Sequence, residues 1–266
     1  MDEITSESKF IWKLILQILL LPITAIQVLF GKKEVSDLFA PIKEIFTFVF
    51  EPRFTISMII INIIIFIVAL FASNSILDLL IMRPSDLLQL RLWTLITAGF
   101  LHANLTHLFG NMIALFIFGR VVEKELGSGK TALIYFGALI ISSLFSSLIH
   151  LFWLGNNTAG IGASGALMGL IATAILLKPF YLTYELIFPL PIMVVGWLAI
   201  LADITGVLNP IEDGIGHFAH IGGFISIAIL CFLLGIDEKE KLKKGLYINI
   251  ASLVAAGFLL YYLGII

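Results

Sequence analysis

Four polar side chains stand in an otherwise strongly apolar chain, and their types could together carry out acyl transfer. Ser164 lies in TAGIGASGALMGL (158–170), flanked by Gly160, Gly162, Gly165 and Gly169 with no charge nearby. His220 lies in GHFAHIGG, and His107 and Asn111 lie in HANLTHLFGN. A serine within reach of an imidazole is an activated nucleophile, because the imidazole removes the hydroxyl proton and later returns it to the leaving group. The tetrahedral intermediate of such a reaction needs donors aimed at its oxyanion. His107 and Asn111 are spaced i, i+4, so they share one helix face and can supply them.

Each group also has a plainer reading. Gly165 and Gly169 form a small-xxx-small face in which the serine is one more small residue, and a histidine or asparagine in an apolar helix can simply join it to a neighbour. The chemical reading therefore depends on whether the elements carrying these residues bring them to one place.

Those elements are membrane helices. The chain has 266 residues, of which 60% are hydrophobic and only 13% charged, and its mean hydropathy is +1.08. That is far more apolar than a soluble domain and indicates a polytopic membrane protein. A net charge of −2 argues against a nucleic-acid partner, and one cysteine, Cys231, excludes an intrachain disulfide. The start, MDEITSESKF, lacks the basic n-region of a cleaved leader.

Apolar stretches long enough to cross a bilayer fall at 54–73, 104–122, 131–153, 160–177, 186–208, 217–234 and 246–265. A further run, 10–30, contains Lys13, Gln17, Pro22 and Gln27 and is expected to lie in the interface. If the spans alternate, Arg53, Arg120, Lys124, Lys130, Lys178 and the lysines between 239 and 244 fall on one side, which the positive-inside rule makes cytoplasmic. The acidic pair Glu212 and Asp213 falls on the other. The second, fourth and sixth spans then all begin on the extracytoplasmic side, and all five histidines lie in that leaflet. Clustered intramembrane polar groups are costly and mark a functional site by default. Ser164 and His220 each lie about one turn inside their spans, which predicts similar depth.

Taken together, GASGALMG, AHIGG, HANLTHLFGN and GRVVEKELGSGK resemble the rhomboid family of intramembrane serine proteases over residues 50–235. The resemblance implies an all-α polytopic bundle with a six-helix core over 51–235, preceded by an N-terminal segment, 1–50, and followed by a basic loop and seventh span in 236–266. It implies Ser164 as nucleophile, His220 as general base, and an oxyanion hole of His107, Asn111 and the Ser164 backbone N–H. His102 matches a histidine that steadies the loop before the second span by hydrogen bonds. Glu123 matches a structural acidic position, with an ion pair among Arg120, Lys124 and Lys130 as its physical account. Gly162 and Gly165 leave room for a substrate backbone and a close helix, and Gly223 serves the sixth helix likewise. Met168 stands where some relatives carry an aromatic that stacks on the catalytic histidine, and Arg91 stands two positions upstream of a family loop arginine.

The activity implied is hydrolysis of peptide bonds in or beside transmembrane segments of membrane protein substrates, within the lipid bilayer and without metal or cofactor. The fifth span, which opens with Pro189 and Pro191, is the expected route of lateral access. Two rivals remain at this point: a non-catalytic helix-binding relative, and a metal-dependent protease using His217 and His220, although no His-Glu-x-x-His signature is present. Asp203 in LADITG either orients His220 or lines a polar cavity.

Overall fold

A computed structural model of the chain describes residues 2–183, 190–210 and 214–264. Pro189, Glu212 and Asp213 lie outside the described residues. The chain divides into two compact units, Met1–Arg53 and Phe54–Ile266.

The first unit holds α1 (Asp2–Leu19), α2 (Leu21–Leu29) and α3 (Ser36–Phe50). Between Trp12–Leu19 and Leu21–Leu29 the axis bends by 53°, with Pro22 just inside α2. The proline ring lacks an N–H and collides with the preceding turn, so the apolar run cannot continue as one straight helix. Lys13 Nζ donates to Glu44 Oε1 at 2.8 Å and Phe10 stacks on Phe48 at 5.2 Å, fixing α1 against α3. The helix α3 occupies a stretch that the sequence reading treats only as a non-spanning connection.

The second unit opens with α4 (Arg53–Ala69), followed by the short helices α5 (Asn74–Leu80) and α6 (Thr94–Thr97). Then come α7 (Leu105–Ala114), a π-helical turn (Leu115–Gly119) and α8 (Arg120–Leu148). Gly127 breaks α8 with φ 78° and ψ 163°, a conformation that glycine alone adopts freely. The remaining helices are α9 (Ser164–Leu177), α10 (Ile192–Leu208), α11 (His217–Leu230) and α12 (Ile236–Tyr262). A two-residue antiparallel pair, β1 (Leu182–Thr183) with β2 (Leu190–Pro191), precedes α10. That helix therefore starts at Ile192, later than the fifth predicted span, and Pro191 stands at its N-cap.

These helices fall on the seven predicted stretches. Two helical runs have the length and hydropathy of a crossing, Leu105–Trp153 with its break at Gly127, and Ile236–Tyr262. The apolar helices α4 and α10 have 17 residues each, and α9 and α11 have 14 each.

Glycine contacts set the directions. A Cβ at Gly165 would overlap Ser142 Oγ and one at Gly169 would overlap Ala138 Cβ, so the part of α8 after the break runs antiparallel to α9. A Cβ at Gly223 would overlap the Gly165 carbonyl oxygen, and one at Gly169 would lie 3.1 Å from Ser226 Oγ, so α11 runs parallel to α9. On the far flank of α9, Gly245 of α12 abuts the Leu176 carbonyl, and Asn249 Nδ2 donates to the Ile175 carbonyl at 2.8 Å. α9 is thus the central helix, with twelve of its fourteen residues buried. Apolar residues on all sides are what a helix enclosed by other helices requires.

Candidate active site

Ser164 is the first residue of α9, not one turn inside a helix starting at 160 as the apolar run suggests. Residues 158–163 are largely extended because neighbours take up their backbone groups. Gly160 N donates to the Met82 carbonyl at 2.8 Å, and Gly162 N to the Ala98 carbonyl at 2.9 Å. Gly162 then turns the chain with φ +115°, which an L side chain rarely tolerates. As first helical residue, Ser164 has a backbone N–H with no intrahelical acceptor, at the positive end of the helix dipole.

The same turn meets α7. A Cβ at Gly162 would lie 2.7 Å from His107 Cε1 and Nε2 and 3.5 Å from Asn111 Nδ2. Asn104 caps α7 by accepting the His107 N–H at 2.8 Å, which fixes where the helix begins and hence which face carries His107 and Asn111. His107 Nδ1 accepts a long bond, 3.4 Å, from Ala103 N. That contact assigns the ring proton to Nε2, the nitrogen facing Gly162. Asn111 is buried, and its Nδ2 has no hydrogen-bond partner. A buried amide N–H without an acceptor is unusual and calls for an explanation.

His220 is the fourth residue of α11. Gly223 lies against Gly165, and the Ala219 carbonyl is 3.7 Å from the Cβ that Gly165 lacks. These contacts bring the turn carrying His220 to the N-terminus of α9. Both Ser164 and His220 are half-buried and reachable. The glycine contacts thus bring His107, Asn111 and the turn carrying His220 to the start of α9, where Ser164 stands.

A rhomboid-domain family model matches residues 89–236, more than half the chain and the whole of this constellation. The chain belongs to the rhomboid family. It is similar to the rhomboid protease AarA of Providencia stuartii, with 30% identity over 203 residues, covering 66% of this chain and 70% of that relative. The putative rhomboid protease YdcA of Bacillus subtilis is 30% identical over 149 residues, covering 56% of this chain and 70% of the relative. RHOMBOID-like protein 4 of Arabidopsis thaliana is 30% identical over 142 residues, covering 53% of this chain but 34% of the plant protein. The chain spans between a third and about half the length of the first such plant relatives. Membership makes this an integral membrane protein of a family whose bacterial relatives here are named proteases.

Within the rhomboid domain, several residues are held differently from expectation. Glu123 is tied to the start of α4. Its carboxylate accepts from Phe54 N at 2.8 Å, Thr55 N at 2.9 Å, Thr55 Oγ1 at 2.8 Å and Ser128 Oγ at 2.6 Å. The reason is position: an acidic group facing a helix N-terminus answers the orphan N–H groups of α4. Lys130 pairs instead with Glu238. Neither ring nitrogen of His102 has a hydrogen-bond partner of normal geometry among the described residues. It packs edge-on to His107 at 5.0 Å and lines an apolar cavity of about 280 Å³ with Phe66, Leu70 and Leu77. Burial, then the neighbouring His107 charge, pushes the His102 imidazole down to about 4, so it is neutral at physiological pH. Met168 packs on Gly223, a turn beyond His220, where Cβ of the two would lie 3.1 Å apart.

Two groups of residues carry more than their sequence pattern indicated. Arg91, despite its displaced position, anchors the loop before α7, donating to buried Asp86 at 2.9 Å and to the Asp78 carbonyl at 2.8 Å. Asp203 Oδ1 lies 2.8 Å from His220 Nδ1 and 2.9 Å from His217 Nδ1. Among the described residues no group of three or more side chains is arranged to hold a metal ion.

Proposed function

We propose that this rhomboid is a serine endopeptidase that hydrolyses peptide bonds in or next to transmembrane segments of membrane proteins, with Ser164 as nucleophile and His220 as general base. The observation that carries this reading is a pair of contacts at the start of α9: Gly165 meets Gly223 of α11, and Gly162 meets Asn111, whose buried Nδ2 has no hydrogen-bond partner among the described residues. A donor left without a partner in the resting protein suits an oxygen that becomes negative only during the reaction.

The chemistry follows from the groups present. Ser164 Oγ attacks the scissile carbonyl carbon while His220 Nε2 takes its proton. The carbonyl oxygen, now an oxyanion, accepts from the Ser164 N–H, Asn111 Nδ2 and His107 Nε2. Collapse breaks the C–N bond, and the departing amine takes the proton from His220. Water, deprotonated by the same imidazole, then hydrolyses the acyl-enzyme and regenerates the serine.

Helix lengths and charge support a site within the bilayer that opens away from the cytoplasm. Fourteen residues of α9 extend only about 21 Å, against about 30 Å of hydrocarbon. With Lys178 at its far end held by Glu125, the nucleophile starts below the opposite face. Lys130, Lys178 and Lys241 gather at that far end, which the positive-inside rule assigns to the cytoplasm. A helical substrate hides its carbonyls in hydrogen bonds, so small or helix-weakening residues near the scissile bond are expected.

The test is cleavage of a transmembrane reporter in liposomes by wild type, Ser164→Ala and His220→Ala. Both variants should be inactive. Cutting at the wild-type rate by either would falsify the assignment.

A further inference from the structure

We propose that Asp203 is a positioning residue for the Ser164–His220 reaction: from α10 it fixes the ring orientation and tautomer of His220, making the site a relay across three helices. The inference rests on the dyad reading above. It goes beyond that reading because nothing in the motifs around Ser164 or His220 requires a third residue.

The geometry is specific. Asp203 is 5% exposed, and its Oδ1 lies 2.8 Å from His220 Nδ1 and 2.9 Å from His217 Nδ1. An ionised carboxylate can only accept, so both imidazoles donate through Nδ1–H. His220 then carries its lone pair on Nε2, the nitrogen a base needs for the serine proton. The opposite tautomer would leave the proton on Nε2 and the pair without a base. When Nε2 takes the serine proton, the positive charge that forms lies beside an anion already in place.

The surroundings hold the carboxylate to this task. Antiparallel α10 and α11 set Asp203 opposite His220 and Gly206 opposite His217. A Cβ at Gly206 would overlap the His217 ring, so the glycine is the socket that lets His217 reach the shared oxygen. Two N–H donors on one oxygen offset the cost of burying the charge. His217 is thereby explained without a metal: its nitrogen is turned to the same oxygen as that of His220.

Two measurements on the full chain test the proposal. In liposomes with a transmembrane reporter, Asp203→Asn should lower kcat by at least ~10²-fold with KM unchanged, on the lower side of the ~10⁴-fold loss when a triad aspartate becomes asparagine. A merely structural role would lower the amount of folded protein and leave kcat per active site intact. A wild-type kcat in Asp203→Asn, with Ser164→Ala inactive, overturns this inference and leaves the dyad standing. Activity in Ser164→Ala overturns the dyad itself. Should Asp203→Asn not fold, ¹⁵N-histidine spectra of the wild-type protein, assigned with His220→Ala, still decide. The Nδ1–H tautomer of His220 is expected, and the Nε2–H tautomer overturns the proposal.

Discussion

Asn111 Nδ2 and the two ring nitrogens of His102 are buried polar atoms with no hydrogen-bond partner of normal geometry among the described residues, yet they imply different behaviour. Asn111 faces Gly162 and the start of α9, and in the proposed reaction its donor serves the transition state. Asn111→Ala should reduce kcat by ~10²- to 10³-fold and leave KM nearly unchanged, measured with the same reporter. His102 faces an apolar cavity, and its effect is on stability. An unfolded chain takes up this proton near 6.5, but the folded chain only near 4. Stability is therefore complete above about 6.5 and declines as pH falls towards 4. Melting curves in detergent should show this slope, flattened in His102→Leu. At this scale the i, i+4 spacing of His107 and Asn111 was readable from sequence, and Asn104 just ahead of the apolar run is itself an N-cap signal. The Asp203 pairing was not, because residues 14 and 17 positions away meet only once α10 and α11 are packed.

Among the elements, α9 depends on close backbone approach on both flanks. Gly223→Ala would drive a methyl group into the Gly165 carbonyl. Overpacking of this kind typically costs ~1–3 kcal/mol, and here it would also push His220 away from Ser164, so activity should fall further than the melting temperature implies. On the other flank, Asn249 Oδ1 accepts from Trp197 Nε1 at 2.8 Å while its Nδ2 donates to the Ile175 and Gly245 carbonyls. One side chain thus joins α9, α10 and α12. Asn249→Leu should lower stability by ~1–2 kcal/mol, seen as a lower melting temperature in detergent, while the active-site residues stay in place. Helix existence was legible in the second unit wherever the apolar run is long, but not for the short α5 and α6. Helix ends were less so. Nothing in GIGASG separates a non-helical loop from a first helical turn, because the loop is held by Met82 and Ala98, some 60 to 80 positions earlier.

For the molecule as a whole, its polar fastenings gather at two ends. Glu125 bonds Lys178 at 3.0 Å and Lys241 at 3.2 Å, and Glu238 pairs with Lys130, all at the end remote from Ser164. Such partly exposed pairs contribute little stability each, and screening them with salt should barely shift the melting temperature. Their placement is what composition already suggested: basic residues collected at one end of alternating spans. Composition could not show α3, whose sequence is too short and mixed to announce itself as a span, nor that Glu123 answers the N-terminus of α4.

The meeting of Gly165 and Gly223 carries one more consequence. Main chain touches main chain there, with no side chain between, so the gap between Ser164 and His220 is a tolerance set by two backbones. Rotamer changes, substitutions on the lipid-facing surface and variation in bilayer thickness can all alter the periphery while that gap keeps its dimension.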